Sequence, residues 1–395
     1  MVSFPSMHWQ ARAPLGENAA QSLLISALRG LAALQVAAAH LRAEMYPGLR
    51  TLEDPSLAYM GLAFITGFAH QAVVVFFLIS GWLVGGSLMN RFGKPQALAH
   101  YAIDRVTRLW TVLLPTLLLS LGIGLAIGSA APGPIDVNPA NDFSAAAFAG
   151  NLLGLQTVTV PEFGGNYPLW SLAHETWYYI QFPLLLLVIA GGVLRRAAVA
   201  AALILLLATL RDMISLYFAV WLLGAAFSRI RIDCGKAFQA LLLVLTLALF
   251  VYYRMRGNND DLVPASFVQD LVCSIPFLLL LASFQRPLDK AAPAYVRANR
   301  IAVFFSEFSF SLYVVHVPVI YLMRHLGQQL LGRGQLDPNA ATDFLWYGIL
   351  LGALVLAAYL FYLLFERHTV RIRNALKNLL LSPRVKPVRV ALSPD

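Results

Sequence analysis

Runs of about twenty apolar residues recur along this chain, and they leave little choice of fold. In hydrocarbon no water meets an exposed backbone N–H or C=O, so a spanning segment must be a helix or part of a closed barrel. Strand-like alternation is absent, which argues against the barrel. The runs occupy 22–41, 70–89, 109–130, 172–191, 197–211, 213–229, 237–253, 267–285, 304–323 and 344–366. Most approach the length a helix needs to cross about 30 Å of hydrocarbon. They predict an all-α, polytopic membrane protein with about ten transmembrane helices. The fifth and sixth runs are short and nearly contiguous, as in a tight hairpin turning at Arg211-Asp212. Residues are 59% hydrophobic and 12% charged, where a soluble chain carries about a quarter charged.

The same runs divide the chain into a 1–21 N-terminal segment, a 22–366 membrane domain and a 367–395 basic tail. With the N-terminus inside, 21 of the 29 Lys and Arg fall in inner segments and seven in outer ones, Arg29 being the remainder. Cytoplasmic loops carry such an excess, so both termini are expected in the cytoplasm. The formal charge of +9 is dispersed between the runs, which excludes a nucleic-acid-binding patch. The lipid bilayer is the expected partner, and the tail suits anionic headgroups. No cleavable signal peptide is evident before the first run. The outer loop 131–168 carries Asp136, Asp142 and Glu162 without Lys or Arg, and reads equally as a lid or as a connector. Cys234 and Cys273 form neither a disulfide framework nor a metal motif, and no metal site is expected.

Ionisable residues inside apolar runs cost several kcal/mol each and usually serve function. Arg29 lies within the first run and His40 near its outer end. Eleven residues return a helix to nearly the same direction, so both share one face about 16 Å apart. They cannot touch, but both could line one path. Further polar positions follow. Ser80-Gly81 in the second run permits close helix packing. Arg105 and Arg108 share a helix face and read either as a topology anchor or as a phosphate grip. Trp170, Ser171 and Glu175 stand where the outer loop meets the fourth run, the aromatics as an interfacial belt and Glu175 as a harder residue to dismiss. Tyr313 and His316 share a face of the ninth run, where a hydrogen-bonded structural histidine is the plain alternative.

Taken in order, these clusters resemble the acyltransferase-3 family of integral-membrane acyltransferases, best known for O-acetylating bacterial polysaccharides. Leu28-Arg29-Gly30-Leu31-Ala32-Ala33 followed by His40 is similar to its opening arginine–histidine motif. Phe76-Phe77 through Ser80-Gly81 resembles its Phe-Phe-x-x-Ser-Gly motif. Arg105 with Arg108, Trp170-Ser171-Leu172 with Glu175, and Tyr313 with His316 and Pro318 match its later motifs, and Phe365-Glu366-Arg367 matches weakly. The chain departs from the family in having Ala72-Val73-Val74 where Gly-Val-Asp is common, and in placing Pro115 late after the paired arginines.

The resemblance implies transfer of an acyl group, chiefly acetyl from acetyl-CoA, to a hydroxyl of a glycan or glycolipid acceptor in a bacterial cytoplasmic (inner) membrane. An alcohol is a poor nucleophile near neutral pH and needs a positioned base, a task suited to imidazole. His40 is the expected base, with Glu175 the carboxylate orienting it. Arg29 would stabilise the thioester oxygen or hold the donor arm. Arg105 and Arg108 would grip coenzyme A phosphates, with Ser80, Trp170, Ser171, Tyr313 and His316 lining the substrate path. Succinyl is the alternative acyl group. A transporter or flippase, with Arg29, His40, Glu175 and His316 along a translocation route, is the alternative function. The sequence is silent on oligomeric state.

Overall fold

The apolar runs are folded mainly as helix, and the protein is 78% helical with almost no strand. The computed structural model describes residues 5–16, 19–128, 142–190, 192–210, 212–257, 259, 262–285, 290 and 292–381. The outer-loop stretch 129–141 with Asp136, the turn residue Arg211 and the tail beyond 381 lie outside the described residues.

The chain opens with β1 (Ser6–Trp9) and enters α1 (Ala19–Met45), followed by the short α2 (Leu57–Ile65). Next comes α3 (Ala69–Ser80), continued through a π-helical turn at Gly81–Gly85 into α4 (Gly86–Arg91). After α5 (Ala97–Ala126) and α6 (Ala145–Leu152) come α7 (Trp170–Ala190), α8 (Val193–Thr209) and α9 (Asp212–Phe227). Then β2 (Ile230–Asp233) leads to α10 (Lys236–Arg256) and α11 (Pro264–Ser283). The last elements are α12 (Pro293–Glu307), α13 (Ser309–Leu331), α14 (Ala341–Leu364) and α15 (Thr369–Leu381). Every one of the ten predicted runs falls largely on helix. Among the described residues, six helices are long and apolar enough to cross a membrane, or seven if α12 and α13, bent by 49°, form one span. Of the rest, α8 and α9 have 17 and 16 residues, and α7 opens with polar and aromatic residues.

The sequence reading missed the helices α2, α6 and α15, which lie outside the ten runs, and a strand pair. β1 pairs antiparallel with β2, with Ser6 opposite Asp233 and Trp9 opposite Ile230. Two four-residue strands are too short to show alternation, yet they tie the N-terminal segment to the α9–α10 connection. Cys234 and Cys273 are free and buried.

Helix α1 packs against α3, α12 and α13, and α3 packs against α9. Glycines set the closest approach. A Cβ on Gly81 would run into the Trp221 carbonyl, and one on Gly224 into the Leu78 carbonyl. The Ser80-Gly81 packing role read from the sequence is therefore fulfilled, and Trp221 also donates its indole N–H to Ser80 Oγ at 3.1 Å. Such small-residue contacts supply packing where lipid and side chains are equally apolar.

Two polar features within the bundle escaped the sequence reading. His70 on α3 reaches both carboxylate oxygens of Asp270 on α11, at 3.0 and 2.9 Å, and Tyr217 on α9 donates to the same carboxylate at 2.6 Å. The three side chains join three helices through mutually satisfied buried groups. Pro318 inside α13 lacks the N–H that would bond the carbonyl of Val314. Asn166, from the segment leading into α7, donates Nδ2 to that carbonyl at 2.9 Å.

Gly224→Ala is expected to lower the melting temperature of the detergent-solubilised protein, by a loss of about 1–3 kcal/mol from overpacking. Gly348→Ala, whose Cβ meets nothing within 4 Å, should leave it unchanged. Equal behaviour of the two in thermal unfolding would remove the close-approach argument.

Candidate active site

The bundle holds a partly open cavity of about 560 Å³ walled by α1, α3, α5, α7, α12 and α13. Seven of the ten residues singled out from the sequence line it: Arg29, Ser80, Arg105, Arg108, Ser171, Glu175 and Tyr313. Helical spacing explains the grouping. Ser26 and Arg29 lie one turn apart on α1, Arg105 and Arg108 one turn apart on α5, and Ser171 and Glu175 one turn apart on α7.

Three guanidinium groups thus meet one partly open space. Arg29 donates Nη2 to Ser309 Oγ at 3.4 Å. Arg108 pairs through Nη1 with Glu366 Oε1 at 2.6 Å and sits 4.8 Å from the Phe310 ring centre. Arg105 lies over the rings of Tyr179 and Tyr101, at 5.4 and 5.9 Å, and its buried Nε has no hydrogen-bond partner among the described residues. Charges in such a low-dielectric setting act more strongly than in water. Glu175 and Glu307 also line the cavity, and with Arg108 paired to Glu366 the cavity guanidinium left with an unpartnered donor among the described residues is Arg105.

Glu175 differs from its expected role. Its Oε1 accepts from Ser80 Oγ at 2.6 Å and from the Tyr179 hydroxyl at 2.5 Å, and it contacts no imidazole. The helix turn that brings it into the cavity wall turns it away from His40. What stands behind His40 is a second imidazole, with His40 Nδ1 2.8 Å from His316 Nε2. His316 Nδ1 lies 3.2 Å from the Leu312 carbonyl. A carbonyl only accepts, so neutral His316 carries its proton on Nδ1 and presents a lone pair at Nε2. His40 Nδ1 must then be the donor, which leaves His40 Nε2 with the free lone pair. The ring of Tyr167 meets His40 edge-on at 4.9 Å.

His40 and His316 are not among the cavity-lining residues. Between them and the cavity stands Tyr313, one turn before His316 on α13 and 6.0 Å away between ring centres. Its hydroxyl lies 2.7 Å from Ser171 Oγ, and the Pro168 carbonyl is within 3.0 Å of Ser171 Oγ and 3.2 Å of the Tyr313 hydroxyl, so one hydroxyl donates to the other and the second donates to that carbonyl. The single path expected from Arg29 to His40 is therefore divided at Tyr313. Trp170 also leaves the lining and packs edge-on against His174 and Phe77.

Sequence reasoning undervalued Glu366 and passed over Tyr179, Ser309 and Tyr167. Glu366, its side chain 3% exposed, neutralises Arg108 and accepts from the Ser311 N–H at 3.0 Å and Ser311 Oγ at 2.7 Å. Its presence in a weakly matching motif was the available signal. Tyr179, four residues after Glu175 on one helix, was legible from spacing alone.

The family model of the acyltransferase-3 group, described as an acyltransferase domain, matches residues 24–363. The chain belongs to this family and is a multi-pass membrane acyltransferase. No curated protein and no solved structure matches it.

Arg108→Met leaves buried Glu366 without its cation and is expected to cost about 3 kcal/mol of stability. The double variant Arg108→Met with Glu366→Gln should recover most of that loss. Additive losses in a thermal-unfolding cycle would show the pair to be uncoupled.

Proposed function

We propose that this acyltransferase moves an acetyl group from acetyl-CoA to a hydroxyl of a carbohydrate or glycoconjugate acceptor. The observation that carries this reading is the juxtaposition of a three-arginine cavity with a histidine pair just beyond Tyr313. An acyl-CoA donor combines phosphates, a slender arm and a thioester. Arg105, whose Nε has no partner among the described residues, offers a phosphate a bidentate partner. Arg108 lies beside it with one nitrogen held by Glu366, and the arm extends from them toward Arg29 and Tyr313. Arg29 then stabilises the carbonyl oxygen as it becomes negative, where a cation in a water-poor site is most effective.

His40 serves as general base through Nε2. It takes the proton of the acceptor hydroxyl as the oxygen attacks the thioester carbon; the carbon–sulfur bond breaks, and the coenzyme A thiolate leaves and is reprotonated. His316 fills the orienting position otherwise held by a carboxylate, fixing the His40 tautomer. Tyr313 turns aside to admit the thioester to the histidine pair. A small acyl group suits this narrow passage better than succinyl.

The seven crossings, with α7, α8 and α9 added, make ten, and the charge asymmetry supports both termini in the cytoplasm. His40 is then near the outer face of a bacterial cytoplasmic membrane, and the arginines open toward the compartment where acyl-CoA is made.

Release of free coenzyme A from membranes given acetyl-CoA and a glycan acceptor tests the reading directly. Glycan movement across the membrane without coenzyme A release would favour the transporter alternative. His40→Ala should reduce transfer by about 10²–10⁴-fold in a protein that still folds; retained activity would reject the base. Arg105→Ala should raise the apparent KM for acetyl-CoA about tenfold or more while leaving that for the acceptor unchanged. Unchanged donor affinity would return Arg105 to a topology anchor.

A further inference from the structure

The chain ahead of α1 supplies part of the wall of the arginine-lined cavity. Leu15 lines that cavity together with Ser26 and Arg29 of α1, Ser87 of α4 and Arg105 of α5. Leu15 belongs to no helix or strand, so its position depends on how the residues before it are fastened.

They are fastened by backbone groups. β1 pairs with β2, and the Gln10 N–H donates to the Arg229 carbonyl at 2.7 Å just beyond that pairing. Ala13 is 1% exposed, and the Asn90 side chain takes both of its backbone groups. The Ala13 N–H donates to Asn90 Oδ1, and Asn90 Nδ2 donates to the Ala13 carbonyl, each at 2.9 Å. Gly86 makes room for this latch, since a Cβ there would lie 3.2 Å from Ala13 Cβ and 2.8 Å from Ser228 Oγ. Asn90 follows Ser87 by one turn of α4, which sets the latch next to a residue of the cavity wall. The Leu15 N–H then closes a tight turn onto the same Ala13 carbonyl at 2.9 Å. Gly16 follows at φ +74°, a conformation glycine adopts freely.

The arginines give the cavity its charge, whereas Leu15, with Leu83, Val84 and Val303, gives it an apolar stretch. An acyl-CoA joins its phosphates to its thioester by an arm rich in methylene groups, which an apolar stretch suits.

We propose that Leu15 is a binding residue for the acyl-CoA donor and that Asn90 is a positioning residue acting through it. The inference rests on the reading of the arginine-lined cavity as the donor site.

The test uses the full chain in detergent, with acetyl-CoA and N-ethylmaleimide as probes. Cys234 and Cys273 are buried, so alkylation of a Leu15→Cys variant reports position 15. Acetyl-CoA at about ten times its dissociation constant should slow that alkylation about tenfold by occupancy. Arg12→Cys, at an exposed position outside the cavity lining, should react at one rate with and without acetyl-CoA. Leu15→Ala should weaken acetyl-CoA binding about tenfold. Asn90→Leu should weaken it similarly, and Leu15→Ala with Asn90→Leu should bind no more weakly than Leu15→Ala alone. Equal protection of Arg12→Cys would mark a general tightening of the segment and overturn the contact. An unprotected Leu15→Cys, alongside an Arg105→Ala variant that loses acetyl-CoA affinity, would overturn the role of Leu15 and leave the donor site standing. Full affinity in both Arg105→Ala and Leu15→Ala would overturn the donor site as well. Multiplied effects in the double variant would make Asn90 a structural residue and overturn its positioning role.

Discussion

The Glu366 carboxylate organises the cationic half of the protein. A buried carboxylate is costly unless its lone pairs are satisfied, and here one oxygen takes Arg108 while the other takes the backbone N–H and hydroxyl of Ser311. Ser311 belongs to the first turn of α13, where unpaired N–H groups and the helix dipole favour an anion. One side chain therefore caps a helix, anchors an arginine of α5 and joins both to the end of α14. The bend between α12 and α13 falls at this cap, which brings Ser309 and Phe310 into the wall of the polar cavity.

Around that anchor the polar groups separate into two sets. Three arginines and Glu175 meet the polar cavity; His40 and His316 meet each other. The hydroxyls of Tyr313 and Ser171 close the boundary. Within the pair, neutral His316 orients His40 without adding another buried charge.

Much of the helical architecture was legible because membrane helices must satisfy their own backbone, so apolar length translates into secondary structure. The number of crossings was less legible, since α8 and α9 are short and α7 begins with polar residues. Residues sharing one turn, such as Arg105 with Arg108, were brought together as spacing required. The Glu175–His40 pairing failed because two groups at one membrane depth can still face different neighbours. Likewise, no local pattern connects His40 to His316 or His70 to Asp270; each contact depends on how separate helices rotate against one another. The β1–β2 pairing was invisible because two strands of four residues leave no period to detect.

The bond from Asn166 to the Val314 carbonyl carries a further consequence. A proline in a membrane helix leaves an acceptor that lipid cannot satisfy, and here the donor arrives from a distant stretch of chain. Asn166 is followed directly by Tyr167, whose ring meets His40, and Pro318 lies two residues beyond His316. The irregularity in the helix is thus the docking point for the segment that covers the histidine pair. Position 318 and position 166 share one acceptor, so an amino acid carrying an N–H at 318 would make the helix compete with the loop for it. Nothing in the local sequence around either position announces the link.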